Sequence, residues 1–397
     1  MKVGIYVDVG SSGSSVGGAE LSAAVLGQAL GALHQVDLIH HNSAITSEGL
    51  SEFAGVDLRQ VHLRFTEREK DIFGRSKAPW NRYREARSWC ADLSAPYDLF
   101  VNFTHFLPAF CHAPKGILVV LFPWFDRHEA WPWKSVGADK SFLRGRLLQA
   151  YYDWEWRKRF STYGVKMANS QYTQRWAKAW WGIDCDVVYP PVDCQFSQST
   201  KKDVILSVGR FTTESHSKKQ WEMVQSFAQI ESAIEPGWKY FCVGGLSARA
   251  DDQAYFDSVQ LAARGLPACV RANLPRHELA GQYAGAKIFW HAAGYGEDEK
   301  THPELQEHFG ITTVEAMAAG CVPVVINRGG QPEIVQHGRN GFIWNTLDEL
   351  KNYTLRLMTD EAMRSKMSDA ARQRASYFER DKFVSAFSRV VQTYTAV

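Results

Sequence analysis

The sequence predicts two α/β domains, each built on a parallel sheet with helices on both faces. Three observations carry this. At 397 residues the chain is long for one core, and roughly 200 residues per domain is the natural division. Short apolar runs alternate with helical patterns along most of its length, the sign of buried parallel strands joined by crossover helices. The opening pattern of apolar run, glycine-containing loop and helix then begins again near residue 203.

The first half opens with VGIYVDV, a strand that runs into GSSGSSVGGAE and then ELSAAVLGQALGAL. In that last segment Leu21, Val25, Ala29 and Leu33 recur every four residues and form one helical ridge. Further strands are expected at YDLFVNF, GILVVLF and VKMANS. The stretch YPPVDCQFSQSTKK, residues 189 to 202, holds two prolines and a polar run, as a domain linker should. Domains are therefore expected at 1–195 and 200–375. The second opens with DVILSVGRF, TTESHSKKQ and KQWEMVQSFAQI, in which Trp221, Val224 and Phe227 share a helical face, and continues through strands WKYFCVGG, KIFWHAA and VPVVIN. From Leu347 onward only helical patterns remain. The last, DKFVSAFSRVV, is amphipathic through Phe383, Phe387 and Val390, and residues 376–397 are expected to return to the first domain.

Composition excludes several classes. Apolar residues make up 45% and charged residues 22%, so the chain is not disordered. Lys and Arg total 45 against 43 Asp and Glu, which leaves no positive field of the size nucleic acid requires. Seven scattered cysteines without a C-x-x-C pair argue against a disulfide framework or a zinc site and suit a reducing cytoplasm. MKVGIYVDVG reads as a strand entering glycine rather than as a secretion signal. The most apolar stretch, ILVVLFPWF, is too short to span a bilayer and contains a proline. Residues 121–160 are crowded with tryptophan and arginine, which suits core packing, sugar stacking or peripheral contact with lipid head groups.

In doubly wound sheets ligands lie at the carboxyl ends of the strands, so three strand-to-helix loops hold the chemistry. In GSSGSSVGGAE, Gly17 and Gly18 at a helix start would let backbone amides come close to a ligand, although the spacing is not that of a dinucleotide fold. In SVGRFTTESHSKKQ, Arg210 follows a strand at once, and Lys218 and Lys219 are expected in the first turn of the next helix. Cations there oppose the helix dipole, and a bound diphosphate would remove that conflict. The third loop is EHFGITTVE. Thr312 to Glu315 has capping-box spacing, so Glu315 reads either as a cap partner or as an acceptor for sugar hydroxyls. Glu307 lies before the turn and cannot be a cap partner. With Gly310, Ile311 and Thr312 offering amides between them, the two glutamates suit a sugar nucleotide. Acidic Glu297, Asp298 and Glu299 read as a solvated loop, and no metal motif is present.

These residues resemble glycosyltransferase family 4, retaining enzymes of the GT-B fold, along nearly the whole chain. EHFGITTVEAMAAGCVPVV holds the paired glutamates separated by seven residues, and GGAE, NSQYTQRW, YPPVD, SVGRF with HSKKQ, and GGQPEIVQHGRNGF support it in the right order. The EHFG form is also similar to eukaryotic Alg11-type mannosyltransferases. The resemblance implies two Rossmann-like domains facing a cleft. It implies transfer of a hexose from a UDP- or GDP-sugar to a glycan or lipid-linked acceptor, with retained configuration and no metal or other cofactor. Arg210 and Lys218, with Lys219 as second choice, would bind the donor diphosphate. Glu307 would face the sugar and Glu315 the ribose. Gly310, Ile311 and Thr312 would give amides to the donor, Gly17 and Gly18 would close on it, and the base would rest near Arg271 to Leu274. Family members often carry a histidine where this chain has Leu121; His105 and His128 are candidate substitutes on the acceptor side. His291 reads as a core or hinge residue. Competing readings are a non-catalytic sugar-nucleotide sensor and an epimerase or phosphorylase of the same architecture.

Overall fold

The computed structural model describes residues 1–8, 16–67, 79–126, 142–197, 199–213, 216–231 and 237–395. The chain divides into two units, Met1–Tyr189 with Phe383–Val397, and Pro190–Lys382.

The first unit is a seven-stranded sheet. Its strands are β1 (Lys2–Asp8), β2 (Gln35–His40), β3 (Val61–Phe65), β4 (Leu99–Thr104), β5 (Lys115–Val120), β6 (Val165–Ala168) and β7 (Asp186–Val187). They lie in the order β3-β2-β1-β4-β5-β6-β7, every neighbouring pair parallel. The two-residue alternation of a strand sends β1 side chains to opposite faces. Val3, Ile5 and Val7 join a core with Leu26, Leu38, Val101 and Phe103, whereas Tyr6 joins Phe100, Leu118, Trp156, Phe160 and Trp181 on the other side. Both faces are covered, so β1 is a continuous apolar run.

The last helix, Arg380–Thr395, buries Phe383, Phe387 and Val391 in the first of these cores, with Phe387 stacked on Phe103. The expected ridge of the helix Gly18–Gly31 is corrected at one position: Leu33 lies beyond the helix end and is 81% exposed. In the aromatic stretch Tyr152, Trp156 and Phe160 are core residues while Leu147 and Trp154 are exposed, and 127–141 fall outside the described residues.

The second unit holds β8 (Lys202–Val208), β9 (Lys239–Gly244), β10 (Ala268–Ala272), β11 (Ala286–His291), β12 (Val322–Ile326) and β13 (Phe342–Trp344). Their order is β10-β9-β8-β11-β12-β13, again all parallel. Val224 and Phe227 of the helix Gln220–Glu231 enter the core beside Tyr240, Trp290 and Trp344. Trp221 does not; it is 44% exposed. Each sheet reverses its strand order once, between β1 and β4 and between β8 and β11, and the carboxyl ends there are the places a doubly wound sheet offers to a ligand. Among the described residues no helix is long and apolar enough to cross a membrane.

If the terminal helix completes the first core, Phe387→Ala should lower unfolding free energy by about 3–5 kcal/mol in denaturant titrations. Val390→Ala, at a partly buried position, should cost about 1 kcal/mol or less. Equal small losses would place the helix outside that core.

Candidate functional site

The β8–β11 switch point gathers most of the candidate residues of the second unit. Arg210 follows β8 and is exposed, and its guanidinium has no hydrogen-bond or ion-pair partner among the described residues. Its carbonyl, with that of Gly209, accepts from the Gln220 side chain, which fixes the backbone beneath it. Lys218 and Lys219 precede the helix Gln220–Glu231 instead of forming its first turn, so the expected conflict with the dipole inside that turn is absent. They are held by other charges. Lys218 Nζ lies 2.5 Å from Glu307 Oε2, and Lys219 Nζ lies 2.7 Å from Glu297 Oε1. The loop after β8 is thus tied to the loop after β11 by two ion pairs. His216 and Lys219 adopt φ of 65° and 55°, a left-handed conformation that costs a non-glycine residue about 1–3 kcal/mol.

Glu307 is the centre of this cluster. His291, the last residue of β11, brings Nε2 to 2.9 Å from the same oxygen that Lys218 touches. Burial pushes the Glu307 carboxyl up, but the Lys218 charge, the His291 bond and the nearby His216 together hold it well below the ordinary 4.5. The group is a carboxylate. Burial lowers His291 and outweighs its bond to Glu307, so the ring is held toward its neutral form. The Glu307 carbonyl accepts from the Gly330 amide at 2.7 Å. Gly329, at φ 59°, leaves that approach open, and a Cβ there would strike the Glu307 backbone.

The helix Ile311–Ala318 begins at Gly310, whose φ of 119° and contact with Gln331 require glycine. No side chain caps this helix, and the amides of Gly310, Ile311 and Thr312 have no hydrogen-bond partner among the described residues. An uncapped helix start is an anion site by its dipole and its free N–H groups. The capping-box option for Thr312 and Glu315 is therefore corrected. Glu315 lies one turn in and accepts from Tyr283 Oη at 2.9 Å. Burial pushes its carboxyl up to about 7 against the opposing Tyr283 bond and Arg276 charge.

Other candidates stand apart from this cluster. Arg271, in β10, is half exposed and pairs with Glu278 at 3.3 Å; Leu274 packs against the core that includes Val204 and Tyr283. In the first unit Gly17 is the N-cap of Gly18–Gly31, and its amide is already bonded to Glu20 Oε2 at 2.9 Å. His105 follows β4 and meets Trp124 edge-on, while Leu121, after β5, is buried. His128 lies outside the described residues. No group of three or more His, Cys, Asp or Glu among the described residues is placed to hold a metal ion. His291, expected as a core or hinge residue, is 3% exposed, and its bond to Glu307 is what the sequence did not show. A histidine ending a strand beside the expected switch point was the available signal.

Two Rossmann-like halves in one chain define the GT-B class, and solved structures share this architecture. Sucrose-phosphate synthase (tll1590) from Thermosynechococcus elongatus aligns over all of both chains with a TM-score of 0.67 at 15% identity. Anabaena HepE, solved with UDP and glucose, aligns over 99% of this chain and all of its own, also at 0.67, with 17% identity. Residues 194–374, most of the second unit, match the model for Glycosyl transferases group 1. It is similar to the GDP-Man:Man(3)GlcNAc(2)-PP-Dol alpha-1,2-mannosyltransferase of Dictyostelium discoideum, 28% identical over 55% of this chain and 44% of that protein. The human protein of the same name is 26% identical over 57% and 48%. The chain thus spans about half the length of these curated relatives.

A raised carboxyl predicts a signed pH effect. Between the ordinary 4.5 and about 7 the folded chain binds the Glu315 proton that the unfolded chain releases. Its contribution to stability is therefore fully present below 4.5 and is lost as pH rises through 7. Glu315→Gln should gain on the wild type over that window, by about 1–3 kcal/mol at its upper end, in denaturant titrations at several pH values. A pH-independent difference would contradict the buried-acid assignment.

Proposed function

We propose that the protein is a retaining hexosyltransferase that moves a sugar from a nucleoside diphosphate donor to a hydroxyl of a glycan or lipid-linked glycan. The observation that carries this is an unpartnered arginine and an uncapped helix start at the same switch point as a lysine–glutamate pair. Breaking the bond between the anomeric carbon and the phosphate oxygen leaves the electron pair on the diphosphate and oxocarbenium character on the sugar. Arg210, Lys218 and the amides of Gly310, Ile311 and Thr312 suit the first, as charge stabilisers oriented before reaction. Glu307, ionised and beside Lys218, suits the second. The acceptor oxygen bonds to the carbon on the face the diphosphate leaves, and a phosphate oxygen takes the acceptor proton. No protein nucleophile and no metal is needed in this scheme.

The remaining assignments follow from it. Glu315 takes the ribose, the backbone from Arg271 to Leu274 the base, and Lys219 stands as a second cation for the diphosphate. Gly17 and Gly18 are assigned to the donor and His105 to the acceptor. The relatives named for GDP-Man make GDP-mannose the first donor to test, and the UDP complexes of Anabaena HepE make UDP-glucose the second. We place the protein in the cytoplasm, at a membrane surface when its acceptor is lipid-linked.

Arg210→Ala should leave melting temperature unchanged and reduce donor-dependent transfer about 100- to 1000-fold, the usual cost of one preorganised charge stabiliser. Product formation from GDP-mannose and UDP-glucose, followed by mass spectrometry with lipid-linked glycan acceptors, measures it. Near-normal turnover by this variant would contradict the proposal.

A further inference from the structure

We propose that His291 is a positioning residue: it is the fixed hydrogen-bond donor that keeps the Glu307 carboxylate in place while Lys218 changes partners. This rests on the transfer reading above, in which Lys218 turns to the donor diphosphate.

The two groups that hold Glu307 Oε2 differ in rigidity. Lys218 reaches it through a flexible four-carbon chain, from a loop that carries two left-handed residues. His291 ends β11, the strand hydrogen-bonded between β8 and β12. It is 3% exposed, and the next residues, Ala292 and Ala293, are fully buried. Once an arriving diphosphate competes for the Lys218 ammonium, only the imidazole stays where it was. The Gly330 amide fixes the Glu307 backbone but not its carboxylate.

The hydrogen-bond chemistry gives the tautomer. A carboxylate only accepts, so Nε2 is the nitrogen that carries the proton. Nδ1 is buried with no hydrogen-bond partner among the described residues and keeps its lone pair. Protonating it would place a second cation next to Lys218 on a ring that is itself buried. The charged and titratable groups that face Glu307 are Lys218 and His216 from the loop after β8, and His291 from β11. His308, next in the chain, meets the His216 ring edge-on at 4.0 Å. Among these, His291 is the one set on a rigid strand end.

The test compares His291→Phe, which fills the space without a donor, with His291→Gln, which restores an N–H toward Glu307. His291→Phe should lower kcat about 10- to 100-fold, with donor KM changed less than about threefold. The acid limb of its kcat profile should move upward, because burial is then opposed by fewer groups. His291→Gln should restore the limb and most of the rate. A second readout needs no turnover: the Glu307 carboxyl resonance in 13C-labelled protein, assigned through Glu307→Gln. It should titrate below 4.5 in the wild type, higher in His291→Phe, and low again in His291→Gln. Equal losses in both variants, or an unmoved limb and carboxyl titration in His291→Phe, would overturn the inference. Absence of transfer from every donor by the wild type would sink the enzymatic reading instead, and the carboxyl titration would then decide the coupling alone.

Discussion

An ionised carboxylate held between a lysine and a neutral histidine, at the carboxyl ends of β8 and β11, is the interaction on which the proposed chemistry of the second unit turns. Its surroundings are arranged to keep it charged. A partly buried glutamate left to itself would take up a proton. Here the Lys218 charge, the His291 N–H and the His216 ring outweigh burial, while eight residues on in sequence Glu315 has only a phenol and a more distant arginine and is pushed the other way. The same residue type thus appears twice in one loop and helix with its carboxyl shifted in opposite directions. Environment, not identity, separates them.

Fold stability alone does not account for this arrangement. A buried ion pair rarely stabilises a protein over an apolar replacement, because desolvation offsets the attraction. The backbone is strained as well. Of the three non-glycine residues with left-handed φ among the described residues, His216 and Lys219 flank Lys218. Gly310 and Gly329 occupy left-handed positions where a Cβ would clash, the first at the helix start and the second against the Glu307 backbone. Such features gather where the surrounding fold must hold a geometry that local preference does not favour, which is the usual condition of a binding site. An uncapped helix beginning in the same place points to an anionic ligand.

Much of this was legible in the sequence, and the exceptions have physical causes. Continuous apolar runs announced β1, β4, β5, β11 and β12, because strands buried on both faces admit few polar residues. β3, VHLRF, lies at a sheet edge, where polar side chains meet water and blur the pattern, and β13, FIW, is apolar but only three residues long. Leu33 and Trp221 matched helical spacing yet are exposed, since spacing alone does not say where a helix ends or which part of its face is covered. The position of Lys218 and Lys219 depended on a helix start that shifts by a residue or two under any pattern argument. Glu315 had capping-box spacing, but Gly310 took the N-cap, so the carboxylate turned to Tyr283, a partner 32 positions away that local sequence does not reveal. His291 was hidden for the same reason: its meaning depends on the loop that folds back over the end of its strand.

Calorimetric titration with GDP, GMP and guanosine, and with the uridine series, tests most directly whether the switch point is built for a pyrophosphate. If Arg210, Lys218 and the free helix start converge on that group, one diphosphate should bind at least about tenfold more tightly than its monophosphate, and Lys218→Met should erase most of the difference. Equal affinity for diphosphate, monophosphate and nucleoside, or no binding by any of them, would contradict it.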